Sequence, residues 1–162
     1  MQIGLFIPCY IDQFYPKVGI ATLELLEKLG LEVYYPSEQT CCGQPLANSG
    51  AEDEAIQIYN KFVRIFSKFD YVVSPSGSCV YHVRENYNIL PQTDEVIRVR
   101  QNTFELCEFI VDILKTDDLK IVFPHKVGVH QSCHGLRGLK LGTPSELIME
   151  HYSKVHRLLK NA

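Results

Sequence analysis

The sequence carries no run of lysine and arginine, and its net charge is −3. The basic footprint that nucleic-acid binding requires is therefore missing. No apolar stretch approaches the roughly 18 residues of a membrane-spanning helix, so no integral membrane segment is expected. The opening residues 1–12 lack the basic flank and the small-residue cleavage site of a secretory signal. They read instead as the first strand of a cytoplasmic protein. Gly4, Gly19 and Gly30 are too scattered to form a dinucleotide fingerprint, which removes a nicotinamide site. There is no low-complexity segment and no convincing linker; the weakest join lies at residues 116–124.

What remains is an ordinary soluble composition, 46% hydrophobic and 22% charged, over 162 residues. That length suits one domain and lets a fold bury roughly two thirds of its unfolded-chain surface without covalent staples. The six cysteines are then not needed as structural bridges. In a reducing compartment they read as metal ligands or redox groups.

The pattern of apolar residues alternates between strand and helix. Residues 1–8 form a short apolar run ending at Pro8-Cys9, as expected of a buried strand. Residues 18–29 have helical spacing and end at Gly30, where a helix C-cap belongs. Residues 31–35 read as a second strand, 51–69 as an amphipathic helix and 71–73 as a third strand. A helix is expected to start near Ser78 or Cys79, another to cover 104–114, a fourth strand 126–130 and a last helix 144–159. Strands alternating with helices predict an α/β, Rossmann-like parallel sheet with helices on both faces.

Cys9, the pair Cys41-Cys42, Cys79 and Cys133 each follow a predicted strand. In an open parallel sheet the carboxyl ends of strands share one edge, and sites form there. Cysteines distant in sequence are thus expected to meet in space. Cys9, Cys41, Cys42 and Cys79 offer four soft sulfurs, enough for an iron–sulfur cluster or for zinc. Two thiolates about 4 Å apart repel by roughly 4 kcal/mol at a surface-like dielectric, so such a group wants a cation, or else protonates or oxidises. Cys107 falls inside an amphipathic helical run and reads as core.

His130, Cys133 and His134 are candidates for metal ligation or proton transfer; on a strand interior, a histidine such as His130 is more often a hydrogen-bonded core residue. Haem attachment at Cys133-His134 is excluded, because His130 stands where the other cysteine is required. Arg137 is a candidate for holding a carboxylate substrate in a two-pronged grip or a solvated surface residue. Tyr10, Tyr34 and Tyr35 read as packing residues near the site.

An internal echo runs through the chain. Ile3–Tyr10 aligns with Val127–His134 at an offset of 124 residues, each an apolar stretch opening onto a cysteine. A repeat on that scale suggests two related halves. The second half would place its own paired cysteines near position 165, beyond Ala162.

The spacing itself is specific. Cys9 precedes Cys41-Cys42-Gly43 by 31 residues, and 33 residues separate Cys42 from Ser76-Gly77-Ser78-Cys79. Together with Thr40–Pro45, Asn48–Gly50, Ser74–Cys79, Asn102–Leu106 and His130–Arg137, this resembles the cysteine-rich CCG domain family found in heterodisulfide reductase and in the iron–sulfur subunit of glycolate oxidase, most of all its lactate-utilisation members. The resemblance implies a subunit of an iron–sulfur oxidoreductase complex that oxidises L-lactate, or a related 2-hydroxy acid such as glycolate, to the 2-oxo acid. It implies a cluster, of the 4Fe-4S type, held by Cys9, Cys41, Cys42 and Cys79, with Cys133 beside them, and partners among the other subunits of such a complex. A zinc-binding or metal-free assembly module is the alternative. Two departures stand out: Ser76 occupies the place of a ligand cysteine, and no second paired-cysteine motif follows. Residues 1–115 then correspond to one CCG-type half and 116–162 to the start of a truncated second half, packed as one unit. The uncovered edge of that half implies self-association or dependence on partners.

Overall fold

The computed structural model describes residues 1–160. Its centre is a four-stranded parallel sheet built from β1 (Gln2–Leu5), β2 (Glu32–Tyr34), β3 (Tyr71–Ser74) and β4 (Thr103–Glu105), in the order β2-β1-β3-β4. The registers pair Ile3 with Val33 and Tyr71, and Val73 with Phe104. Between strands run α1 (Cys9–Phe14), α2 (Pro16–Lys28), α3 (Gln44–Asn48), α4 (Glu52–Phe66), α5 (Gly77–Asn86) and α6 (Asp94–Gln101). After β4 come α7 (Leu106–Glu108), a wide helical turn Phe109–Ile113, another at His134–Gly138, and α8 (Lys154–Lys160).

Strand alternation divides the core. Ile3, Leu5 and Val73 face one side, with Leu26 of α2 and Phe109. Phe6 and Val72 belong to the other, where Tyr59, Phe62 and Phe66 of α4 meet Val83 of α5 and Val99 of α6. Helices therefore cover both faces, as expected. Gly4 lets the rings on α4's side lie flat on the sheet: a Cβ there would sit 2.5 Å from Phe69 Cδ2. Gly30 ends α2 at φ +81°, with its N–H bonded to the Glu27 carbonyl at 2.9 Å, the left-handed C-cap its position predicts.

Three expectations need correction. No strand covers residues 126–130. The place beside β3 is taken by Thr103–Glu105, inside the run read as a helix from 104 onward. Gly128 weakens any strand there, Val127 is exposed, and the sheet edge predicted after residue 130 does not exist; β2 and β4 are the outer strands. The helix expected over 104–114 begins only at Leu106, because the Glu105 carboxylate accepts the N–H groups of Cys107 and Glu108 and caps it there. The helix expected over 144–159 is confined to Lys154–Lys160. Upstream, Thr143 closes a loop instead, its N–H on the Tyr152 carbonyl at 2.7 Å and its hydroxyl accepting the Tyr152 N–H at 3.2 Å. Helix α6 is an addition to the expected elements; Thr93 caps it by accepting the Val96 N–H in the usual way.

Arg84 fastens the last strand. Its guanidinium grips both Glu108 oxygens at 3.1 and 2.8 Å, donates to the Thr103 carbonyl at 2.6 Å and stacks 4.7 Å from the Phe104 ring centroid. Among the described residues no helix is long and apolar enough to cross a membrane.

Candidate thiol centre

β1 ends at Leu5, β2 at Tyr34 and β3 at Ser74, and the cysteines follow in the segments after them. Cys9 opens α1, Cys41 and Cys42 lie in the loop before α3, and Cys79 sits in the first turn of α5. Four sulfurs meet there. Cys9 and Cys41 are 3.4 Å apart. Cys42 lies near enough to Cys41 and Cys79 to feel both electrostatically and shares a buried cluster with Cys79, and Cys79 is flanked by the hydroxyls of Ser76 and Ser78. The run passes from exposed Cys9 through half-buried Cys41 to buried Cys42 and Cys79.

The charge is unevenly placed along this run. The adjoining Cys42 thiol lowers the Cys41 pKa to about 5 against the cost of burial, helped by the Gly43 N–H and by Cys9. The Gly43 amide lies 3.4 Å from the Cys41 sulfur. Cys79 is also lowered, first by Cys42 and then by Ser76 and Ser78. Cys42 is driven far up by its two sulfur neighbours and by burial, and Cys9 rises to about 11 through desolvation and Cys41. The sulfur contacts thus favour the anionic form at Cys41 and, more weakly, at Cys79, and disfavour it at Cys9 and Cys42. A thiolate is the form that ligates soft metals and attacks electrophiles.

The vicinal pair is held from behind. Tyr87, fully buried, donates its hydroxyl to the Cys42 carbonyl at 3.0 Å. Its ring stacks on Tyr59 with centroids 4.3 Å apart, and the Tyr59 hydroxyl shares a 2.9 Å hydrogen bond with His82 Nε2. Burial, and then His134, push the His82 pKa down to about 4. Gly43 is needed twice over: its φ is +87°, and a Cβ would lie 2.5 Å from Tyr59 Cε1. This aromatic support carries no periodic signature. Tyr59, His82 and Tyr87 look like ordinary helix positions until the fold stacks them.

The remaining candidates are spread more widely. Cys133 is exposed and stands just before the turn His134–Gly138. That turn packs on the start of α5, where a Cβ on Gly77 would lie 3.3 Å from Gly135 Cα. The His134 ring lies 4.9 Å from Tyr81. Arg137 adjoins Cys133 but grips Glu146 at 2.6 and 3.1 Å. His130 is exposed in an irregular segment rather than buried in a strand, because that strand does not form; it lines a small cleft with Gly77, Glu105 and Ser132. Cys107 packs elsewhere, with Ile110, Leu114 and Leu158. Tyr10 forms an exposed trio with Phe14 and Tyr15 beside Cys9. Tyr34 and Tyr35 instead line an exposed cleft with Gln2, Pro36 and Lys68 at the outer strand.

In kind, these donors fit a thiophilic group: four gathered sulfurs, two of them with lowered pKa, and a fully buried, unpaired Ser74 hydroxyl on the face of β3 that Val72 shares. In spacing, Cys9 and Cys41 stand at contact distance, 3.4 Å. Among the described residues no three His, Cys, Asp or Glu side chains are arranged as a ready-made metal site. Loading would require the sulfurs to part.

Comparison with known proteins agrees with this core. The family model described as "Cysteine-rich domain", CCG, matches residues 3–84, the segment that holds Cys9, Cys41, Cys42 and Cys79. The chain is 44% identical over 170 aligned residues to "Lactate utilization protein A" of Exiguobacterium sp. (strain ATCC BAA-1283 / AT1b), covering 96% of this chain and 69% of the relative. It is 42% identical to the protein of the same name from Geobacillus kaustophilus and 37% identical to that from Bacillus subtilis, covering 93% of this chain and 65% of each relative. The chain thus spans about two thirds of the length of these relatives. No solved structure matches it. With four sulfurs gathered inside the matched segment, the chain belongs to the cysteine-rich CCG domain family, among the lactate utilization A proteins.

Proposed function

We propose that this chain is a cytoplasmic electron-transfer subunit of an iron–sulfur oxidoreductase complex. The complex oxidises L-lactate, or a related 2-hydroxy acid such as glycolate, to the 2-oxo acid. The observation that carries this reading is the contact run of four sulfurs from the surface at Cys9 to the interior at Cys79. The name borne by the relatives supports the substrate class.

Cys9, Cys41, Cys42 and Cys79 would hold the cluster, of the 4Fe-4S type, with Cys133 as a fifth sulfur on the turn that packs against α5. Bound there, such a cluster supplies one-electron redox chemistry. The chain's own part is to keep the sulfurs anionic and in place. The Gly43 N–H and the Ser76 and Ser78 hydroxyls favour thiolate, Tyr87 fixes the Cys42 peptide, and burial keeps water from Cys42 and Cys79. His130 and His134 are the candidates for taking the proton of the hydroxy acid. Arg137 is the candidate for its carboxylate, in exchange for Glu146.

Cys9 and Cys133 each head a helical turn, which supports reading residues 116–162 as the start of a second CCG-type half. Exposed Val122, Phe123, Leu147, Ile148 and Met149 support partner subunits, or a second copy, covering that part.

The 3.4 Å approach of Cys9 and Cys41 needs less opening for a single thiophilic ion than for a cluster, and zinc would make the chain an assembly module without redox chemistry. Anaerobic purification and reconstitution with iron and sulfide separates the two. A brown protein with broad visible absorption that bleaches on reduction is expected. A colourless protein with stoichiometric zinc would establish the module instead.

A further inference from the structure

Ser74 ends β3, and its hydroxyl is the one buried side-chain oxygen or nitrogen among the described residues with no hydrogen-bond partner. The residue is 0% exposed. Buried polar groups are nearly always paired, because leaving one unpaired forfeits its hydration without return.

The surroundings say where a partner belongs. Side chains two apart on a strand share a face, so Ser74 lies on the face of Val72. Val72 belongs to the buried cluster that also holds Phe6, Cys42 and Cys79, whereas Val73 belongs with Ile3 and Phe109 to the cluster on the opposite face. The hydroxyl therefore stands on the sulfur side of the sheet. Its neighbours there are occupied. Glu105, its register partner on β4, directs its carboxylate to the N–H groups of Cys107 and Glu108. Ser76 and Ser78 lie 3.5 Å from each other and flank Cys79. Of these hydroxyls, that of Ser74 has no partner.

We propose that Ser74 is a positioning residue that donates its O–H to an anionic sulfur of the group held between Cys42 and Cys79. That sulfur is a ligand thiolate or a bridging sulfide. The inference rests on the reading that these cysteines hold a thiophilic group. Hydrogen bonds to the sulfurs of a cluster are among the levers that set its potential, and bonds to charged acceptors are the stronger ones. Ser74 then has an opposite effect in the two states of the protein. It is an unpaired burden in the metal-free chain and a stabilising donor in the loaded one.

The test is Ser74→Ala, with Ser74→Thr as the variant that keeps the hydroxyl, in the full chain. Without metal, Ser74→Ala is expected to melt a few degrees above the wild type, since it removes the orphan. After anaerobic loading with iron and sulfide the order reverses. Ser74→Ala should lose iron to a chelator several-fold faster and show a more negative reduction potential in a dye-mediated titration, and Ser74→Thr should recover both. Equal iron loss and equal potential in loaded wild type and Ser74→Ala would overturn the inference alone, as would a metal-free Ser74→Ala that melts lower. A wild-type chain that takes up neither iron with sulfide nor zinc would overturn the reading of the site, and this inference with it.

Discussion

The Tyr87 hydroxyl reaches the Cys42 carbonyl at 3.0 Å from a ring with no exposed surface. The bond ties the peptide between Cys42 and Gly43 to a residue 45 positions later. Tyr87→Phe keeps the stack on Tyr59 and removes only the donor. Its expected cost is about 1–3 kcal/mol, the penalty for an unpaired buried carbonyl, read by urea unfolding of the metal-free protein. Reconstituted Tyr87→Phe should also retain less iron. Unchanged stability would mean that the carbonyl finds another donor.

Gly43→Ala meets two obstacles at once, a left-handed backbone and the Tyr59 ring. Strain of that kind costs about 1–3 kcal/mol for the backbone alone, and the ring contact adds to it. A thermal melt should show a large drop in Tm, well beyond that of Gly30→Ala, where the backbone is also left-handed but no atom lies within 4 Å. Equal losses at both positions would show that the Tyr59 contact contributes nothing.

Burial raises the pKa of Glu105 from its ordinary 4.5 to about 7, against the pull of the Glu108 and Cys107 N–H groups. The folded protein therefore holds this proton more tightly than the unfolded chain. Its contribution to stability is complete below pH 4.5 and is lost as pH rises through about 7. Relative to Glu105→Gln, the wild type should lose about 1–3 kcal/mol between pH 4.5 and 7.5. Parallel pH profiles for the two proteins would place the carboxyl in water.

The division of the cysteines is checked by metal content after anaerobic purification. Cys42→Ser should lower bound iron or zinc several-fold, and Cys107→Ser, packed with Ile110 and Leu158, should not. Ser76→Cys, which puts a further sulfur beside Cys79, should raise retention. Equal loss in Cys42→Ser and Cys107→Ser would contradict the assignment.

Exposed Ile148 and Met149 supply the last check. The wild type should show a concentration-dependent mass by light scattering at micromolar concentration, and the double change Ile148→Asp with Met149→Asp should return it to a monomer. A wild-type monomer at every concentration would exclude a second copy on this face.

The strands β1, β2 and β3 were legible because each is an apolar run bounded by Gly, Pro or a polar turn. From their order the approach of Cys9 to Cys41, 32 positions apart, could be expected. Strand β4 was not legible: three residues, Thr103–Glu105, give no period to read. The pattern of Val127 and Val129 mimicked a strand, but a strand exists only where a ladder partner does, and that is a tertiary fact. The segment 144–159 has helical composition, yet Thr143 ties it into a loop through the Tyr152 backbone. The support behind the sulfurs was hidden for the same reason. Nothing local distinguishes Tyr87 or Ser74 from other buried residues until the sheet and helices bring them against the thiols.

The path from exposed Cys9 to buried Cys79 has a consequence for access. It acts as a graded sieve, in which the sulfurs differ by the size of the reagent that can reach them. Within this run a bulky maleimide should reach no further than Cys9, while an ion as small as mercury or silver could travel inward from sulfur to sulfur. The same gradation gives any metal arriving from solvent a sequence of handholds leading into the protein.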